Sequence, residues 1–500
     1  MSGKSGAAGN ASGKPSGNKG AQPAATANPR AVALDILTEI FEKDTMSHLA
    51  LRRGLAAHGT LDKQQRAFLT RLVEGTVERR LEMDYIISRY SSVPMKKMKP
   101  VIRGILRMSV YQLLYMDAVP DSAVCNEAVK LATKRGFAGL KGFVNGLLRK
   151  VATEKDQIPY PAEDSAEGLS VRYSMPQWLV DTWLAAYGLE QTRQMLAAVL
   201  MDRPLIVHHN QSGAEASVVQ ESLAAQNVTW QAHPYHADAW ILQGVDRLDD
   251  LEAFQNGWIQ PQDISSQLTS SLAVQALQQC WQKAKDGHND TETMAATDLQ
   301  TADLTMQVLD VCAAPGGKSL YIADGAKALS IPSLICSRDL TEDKTAMIED
   351  NRRRLYLDHM QVQVHDALVW DPSWEERAHV MVADLPCSGL GIMGRKNDIK
   401  YRMTPETQKE LADLQRQILS VIWRYVKPGG YLLYSTCTIN PAENDENFRW
   451  IQENLPFEAV DLRPWLPKEL HGTTAAEGHV QLLPGVHDSD GFYLTALVRV

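Results

Sequence analysis

The residues best equipped for chemistry in this chain are two cysteines and one glycine-rich turn. Cys387 lies in DLPCSGLG (Asp384 to Gly391) and Cys437 lies in YSTCT (Tyr434 to Thr438). An apolar run that reads as a buried strand leads into each, HVMVA before the first and GYLL before the second. The two thiols are 50 residues apart, each in a loop just past its strand, so both can face one pocket. A thiolate is a strong nucleophile, although a lone cysteine is far more often a small buried hydrophobe. The turn is DVCAAPGGKS, Asp310 to Ser319, between the apolar run TMQVL and the helical pattern SLYIADGAKAL. Gly316 and Gly317 permit a positive φ and a close approach of backbone to ligand.

A strand, a sharp turn and a helix N-terminus open a doubly wound α/β sheet, and ligands sit over such turns. The turn alone is a weak signal. The dinucleotide fingerprint GxGxxG and the phosphate loop GxxxxGK[ST] are both absent, which argues against a nicotinamide dehydrogenase and an NTPase. Aspartates close four successive predicted strands, at 310, 339, 366 and 384. Parallel sheets gather their ligand sites at strand C-terminal ends, so these aspartates and both cysteines are expected in one crevice. Asp339 stands about twenty residues past the glycine-rich turn, a spacing that suits hydrogen bonds to ribose hydroxyls.

CAAPGGK, DLPCSGLG and YSTCT, in this order, resemble the motifs of the Sun-type RNA cytosine-5 methyltransferases, which use S-adenosylmethionine (SAM). The resemblance implies that Cys312, Ala313, Ala314, Pro315, Gly316, Gly317 and Lys318 bind SAM, with Asp339, Asp366 and Asp384 completing the cofactor site and Asp366 toward the adenine. It implies that Cys437 is the nucleophile, that Cys387 assists product release, and that Asp384 holds the cytosine through N3 or its amino group. Cys312 is assigned to packing, and Lys318 to orienting the cofactor carboxylate or the catalytic loop. MGRKNDIKYR (Met393 to Arg402) resembles a family loop that usually reads RRHPDIK. Arg395 and Lys400 are its candidate RNA contacts. No metal is expected, since the six cysteines include no CxxC pair.

Around this core the chain divides. Five hundred residues exceed one core. Residues 1–29 are polar, small and free of acidic groups, and are expected to be a disordered tail. Residues 30–152 carry helical periodicity, for instance Leu140, Phe143, Val144, Leu147, Leu148 and Val151, and predict a bundle of five to seven helices. YQLLYMDAVPDSAVCNEAVKLA and FVNGLLRKV in it look like the NusB-type RNA-binding domain that some family members carry. Residues 1–150 hold 24 Lys+Arg against 12 Asp+Glu, a balance of +12, whereas the remainder carries −21. A basic front on an acidic body suits a polyanion, with Arg103, Arg107, Lys134, Arg135 and Arg149 as candidate phosphate contacts.

Residues 153–170 read as a linker, and 171–265 as a small α+β RNA-binding extension. In the latter, Ser174 and Gln177 form a capping-box pattern at the start of a helix. Residues 266–500 are the α/β doubly wound, Rossmann-like methyltransferase domain, with a polar surface insertion at about 282–305. No run of eighteen apolar residues and no signal peptide occur, and free cysteines suit a reducing cytoplasm. The resemblance implies 5-methylation of one cytosine of 16S rRNA, met free or early in subunit assembly, with no membrane and no obligate protein partner. The rivals are a tRNA cytosine-5 methyltransferase and a non-catalytic RNA-binding or antitermination protein.

Overall fold

A computed structural model describes residues 28–289 and 305–500. The tail expected over 1–29 therefore lies outside the described residues up to 27, and the expected insertion lies outside them over 290–304.

Seven helices build the front domain: α1 (Pro29–Glu42), α2 (Ser47–Ala57), α3 (Lys63–Glu78), α4 (Arg80–Tyr90), α5 (Pro100–Tyr115), α6 (Asp121–Lys134) and α7 (Lys141–Glu154). Local chemistry sets their starts. Asn28 caps α1 by accepting from the Arg30 N–H, with Pro29 at the first position. Asp62 and Gln65 close a reciprocal capping box on α3. The apolar stripes meet in one core that includes Leu34, Leu37, Leu69, Leu72, Ile105 and Leu148.

Next come α8 (Ala166–Arg172) and α9 (Gln177–Val199), and then a small antiparallel sheet. Its strands are β1 (Leu205–His209), β2 (Thr229–His233), β3 (His236–Gln243) and β4 (Ile259–Pro261), in the order β2-β3-β1-β4. The helix α10 (Ala216–Ala225) packs on it through Val219 and Leu223. The capping box expected at Ser174 and Gln177 is absent. Ser174 has a φ of 51°, and its hydroxyl accepts from Leu81 N–H of the front domain instead.

The long helix α12 (Ile264–Asn289), which follows the one-turn α11 (Glu252–Gln255), runs into the region expected to be an irregular insertion from residue 282. It leads to the main sheet: β5 (Met306–Asp310), β6 (Ser333–Asp339), β7 (Met360–Val364), β8 (Ala378–Asp384), β9 (Val426–Thr436), β10 (Phe457–Ala459), β11 (His479–Leu482) and β12 (Phe492–Arg499). The order is β10-β12-β9-β8-β5-β6-β7, with β11 paired to β12. Strands β9, β8, β5, β6 and β7 are parallel, and β12 returns antiparallel beside β9.

Alternation along the strands makes three layers. Val308, Ile335, Val382 and Leu433 face α12 and α13 (Gly317–Ala328). Leu309, Cys336, Met381 and Leu432 face the other side, where Leu419 and Ile422 of α16 (Pro405–Ile422) pack. The remaining helices are α14 (Glu342–Arg354), the one-turn α15 (Ile399–Arg402) and α17 (Asp445–Asn454). Truncating Ile422 to Ala would leave a cavity worth roughly 2–5 kcal/mol. Among the described residues no helix is long and apolar enough to cross a membrane.

Candidate active site

The sheet delivers its strand ends to one side. Asp310 ends β5, Asp339 ends β6 and Asp384 ends β8. Asp366 falls two residues past β7, where its carboxylate accepts from the Leu368 N–H at 3.0 Å. The turn after β5 passes into α13 through Gly316, whose φ of 103° is left-handed. The conformation itself favours glycine, and a Cβ there would also crowd the Ile348 side chain at 3.1 Å.

A cleft of about 260 Å³ lies over this turn. It is lined by Asp310, Cys312, Ala313, Ala314, Pro315, Gly317, Lys318, Asp384 and Cys437, together with Gln262, Ser266, Ile392 and Phe492. Gly316, Asp339, Asp366 and Cys387 are not among its lining residues. The carboxylate of Asp339 is tied to the turn, since its Oδ2 accepts from Ala314 N–H at 2.9 Å, and Lys344 Nζ donates to its Oδ1 at 2.8 Å.

Cys387 and Cys437 come together. Their sulfurs are 3.4 Å apart, although they arrive on loops after different strands, β8 and β9. The hydrogen bond to Cys437 first, and burial second, push the Cys387 thiol well above its ordinary range, so it keeps its proton. Burial, with Asp310 and Asp339 adding to it, also pushes the Cys312 thiol up, and Cys312 packs against the core beneath α16. Close backbone packing holds the Cys387 loop: Gly391 N–H donates to the Cys437 carbonyl at 3.0 Å. A Cβ on Gly391 would strike the Gly491 carbonyl oxygen at 1.8 Å.

Lys318 is 8% exposed, and its ammonium donates to Asp384 Oδ2 at 2.6 Å and to Ser266 Oγ at 2.9 Å. Burial works to lower its pKa, but the Asp384 carboxylate outweighs it and the net shift is upward. The other Asp384 oxygen accepts from Ser435 Oγ at 2.9 Å. Asp310 is fully enclosed. Burial pushes its carboxyl up to about 7, against a 2.6 Å hydrogen bond from Ser319 that pulls it down.

Two expectations about the cationic residues need correction. Lys400 is 1% exposed, and its ammonium donates to the Glu78 carbonyl of the front domain at 2.9 Å. It is a strut between domains with no free surface for a phosphate. Arg107, also buried, is engaged by Asp84 in a bidentate pair at 2.6 and 2.7 Å. Arg395 is partly exposed but held by Asp490 and Asp263. Lys134, Arg135 and Arg149 remain exposed, Arg135 paired with Asp35 and Arg149 with Asn145. Residues given no site role from the sequence also build the site: Ser266, Gln262 and Phe492 line it, and Glu443 lies buried behind the cysteines.

A family model described as 16S rRNA methyltransferase RsmB/F matches residues 296–498. A NusB family model matches 27–153, and a ferredoxin-like domain model of RsmF/B-like methyltransferases matches 175–246. The probable ribosomal RNA small subunit methyltransferase B of Bacillus subtilis (strain 168) is 33% identical over 472 residues, 94% of this chain and 98% of that protein. The corresponding protein of Synechocystis sp. is 30% identical over 475 residues, 94% of this chain and 99% of its own length. The crystal structure of PH0851 superposes with a TM-score of 0.72 at 22% identity, over 95% of this chain and 99% of that one. The chain belongs to the ribosomal RNA small subunit methyltransferase B family of RNA methyltransferases. Its fold is the one expected: a NusB-like helical domain, a small α+β subdomain of ferredoxin-like type, and a Rossmann-like methyltransferase domain.

Proposed function

We propose that this protein uses SAM to methylate C5 of one cytosine in small-subunit rRNA, through a covalent bond from Cys437 to C6. One observation carries the reading: two sulfurs from different loops lie 3.4 Å apart, and one of them lines the same cleft as the 312–318 turn.

The cleft residues fit SAM. Two strand-end acids line the cleft, Asp384 and Asp310, and Asp310 has a buried oxygen without a partner among the described residues, which suits a ligand that brings its own donors. The N-terminus of the twelve-residue α13 suits the ligand's carboxylate. Residues 312–318 would hold the amino-acid and sulfonium part, with Asp339 and Asp366 toward the ribose and adenine. Bound there, SAM supplies a methyl group electrophilic enough to be taken by C5 of an activated cytosine.

C5 of cytosine is itself a poor nucleophile. Addition of the Cys437 sulfur to C6 turns the ring into an enamine-like species with its electron density at C5. Asp384, fixed by Lys318 and Ser435, holds the N3 and amino edge of the base. After methylation the C5 proton passes to solvent water, the C5–H electron pair forms the C5=C6 double bond, and the S–C6 bond breaks with its pair returning to sulfur. Cys387 sits against Cys437 and assists this release. The target base must leave its stack to reach the cleft, which suits an unpaired stretch of RNA presented by the helical domain.

Cys437→Ala is expected to lower methyl transfer by at least about 10³-fold with SAM affinity retained. Turnover in that variant would refute the assignment. Cys387→Ala is expected to trap an RNA–protein adduct that survives a denaturing gel. Bisulfite sequencing of rRNA and tRNA from a deletion strain identifies the base; a lost signal in tRNA alone would move the substrate.

A further inference from the structure

Both cysteine loops end on the same carboxylate. Glu443 is 0% exposed, in the INPAEN segment that follows Cys437. One oxygen, Oε2, accepts from the Ser388 N–H at 2.9 Å and from Gln415 Nε2 at 3.1 Å. The other, Oε1, accepts from Asn440 Nδ2 at 2.9 Å and from the Ser388 hydroxyl. Ser388 is the neighbour of Cys387, and Asn440 lies three residues past Cys437. Ser388 Oγ also meets Thr438 Oγ1 at 2.7 Å, next to Cys437. Gln415 comes from α16 and donates as well to the carbonyl of Pro386, on the other side of Cys387.

A carboxylate presents acceptors only, and here all its partners are donors from the two loops and the helix behind them. Among the described residues no cation is one of its hydrogen-bond partners. Such a buried charge is costly and persists only where its hydrogen bonds are met. A hydrophobic plug would fill the volume more cheaply, but it would leave the Ser388 N–H and the Asn440 amide without their acceptor and Gln415 with the Pro386 carbonyl alone. The arrangement fits a strap whose job is the relative placement of two loops.

We infer that Glu443 is a positioning residue that sets the separation of the Cys387 and Cys437 sulfurs and so governs release of the methylated base. This rests on the cysteine roles proposed above. Glu443 is buried and is not among the residues that line the cleft. It acts through Ser388 on one loop and Asn440 on the other. Glu443→Gln keeps the shape but turns one acceptor into a donor. Facing the Ser388 N–H and the Gln415 amide, that –NH₂ sets donor against donor; facing the other way, it opposes the Asn440 amide, and only the Ser388 hydroxyl can turn to accept from it. The loops are expected to part, and a misplacement of about 1 Å at a reacting group lowers turnover on the order of 10²-fold.

The test measures steady-state methyl transfer, SAM binding and the denaturing-gel adduct in the full chain. Glu443→Gln should lower kcat about 10²-fold, leave KM for RNA and Kd for SAM within roughly threefold, and accumulate the adduct as Cys387→Ala does. In the double variant the two losses should not multiply, because both act on release. Wild-type kcat in Glu443→Gln, or losses that multiply with a fall in SAM affinity, would overturn the inference. Should Glu443→Gln not fold, Ser388→Ala removes the hydroxyl and keeps the N–H bond. A kcat reduced several-fold with adduct supports the strap, and an unchanged kcat overturns it. Failure of the underlying reading shows separately, as turnover in Cys437→Ala or no adduct with normal activity in Cys387→Ala.

Discussion

Lys318 in the cleft and Lys400 at the seam between the helical and catalytic domains are both buried lysines from motif segments, and the protein treats them oppositely. Burial opposes the charge on each. At Lys318 the Asp384 carboxylate, 2.6 Å away, wins and the pKa rises. At Lys400 burial wins over Glu78 and the pKa falls, while the buried Glu78 carboxyl is pushed up. The hydrogen bond that Lys400 does make goes to a neutral carbonyl, that of Glu78. The cleft keeps an ion pair and the seam suppresses one. A basic residue in a motif therefore marks a place that matters to the fold or the chemistry, and the partner at hydrogen-bond distance decides which.

The largest test of this contrast is Lys318→Met. Removing the cation leaves Asp384 as a carboxylate with Ser435 alone as a side-chain donor, in the cleft where the base is proposed to be held. Turnover is expected to fall about 10²–10³-fold, as for loss of one preorganised electrostatic contact. Steady-state kinetics with a SAM titration checks it. A loss under tenfold would place Lys318 with Lys400 as a packing residue.

Asp310 shows that the rule belongs to the partner and not to the region. It lines the cleft, 1% exposed, yet among the described residues no cation is one of its hydrogen-bond partners. Its carboxyl is pushed up to about 7, chiefly by burial. A folded pKa above the unfolded value means that the stability Asp310 contributes is fully present below about pH 4 and is lost as pH rises through about 7. Asp310→Asn should remove that slope. Relative to wild type, the variant is expected to gain about 4 kcal/mol in denaturant unfolding between pH 4 and pH 8. A parallel pair of stability profiles would mean that Asp310 is ionised in the folded protein.

The same partners explain what the sequence could and could not reveal. Short apolar runs along β5, β8 and β9 made the sheet legible, and the loops after β8 and β9 made the meeting of Cys387 and Cys437 expected. Local patterns can carry such information because strand period and loop position are local. Ser174 and Lys400 were misread because their partners lie far off in the chain. Ser174 holds Leu81 N–H, 93 residues away, and Lys400 holds the Glu78 carbonyl, 322 residues away. The three-residue β4 is too short to show a period, and it exists because His208 and its neighbours supply an edge to pair with. Glu443 stood in a polar stretch that reads as a loop. The one available signal was an excess of Asn, Glu and Pro directly after a cysteine motif.

Lys400→Met gives the smallest effect and tests the seam side of the comparison. A lysine whose folded pKa lies below the unfolded value of about 10.4 contributes stability that is present above that pH and lost as pH falls through the folded pKa. Near neutral pH the charge is therefore a liability, and methionine, similar in length and uncharged, removes it. The Glu78 carbonyl stays satisfied, because Tyr401 OH also donates to it at 2.9 Å. The contacts that clamp the same segment survive as well: Asp398 accepts from Ser47 N–H at 2.9 Å, and the Arg80 guanidinium lies over the Tyr401 ring. The variant should melt a few degrees higher, about 2–4 °C per kcal/mol released, at pH 7, and the advantage should close toward pH 10. RNA affinity should not change, since a side chain 1% exposed at the seam has no surface to offer a phosphate. A weaker RNA complex from a variant that melts at or above wild type would return Lys400 to the RNA contacts and break the contrast with Lys318.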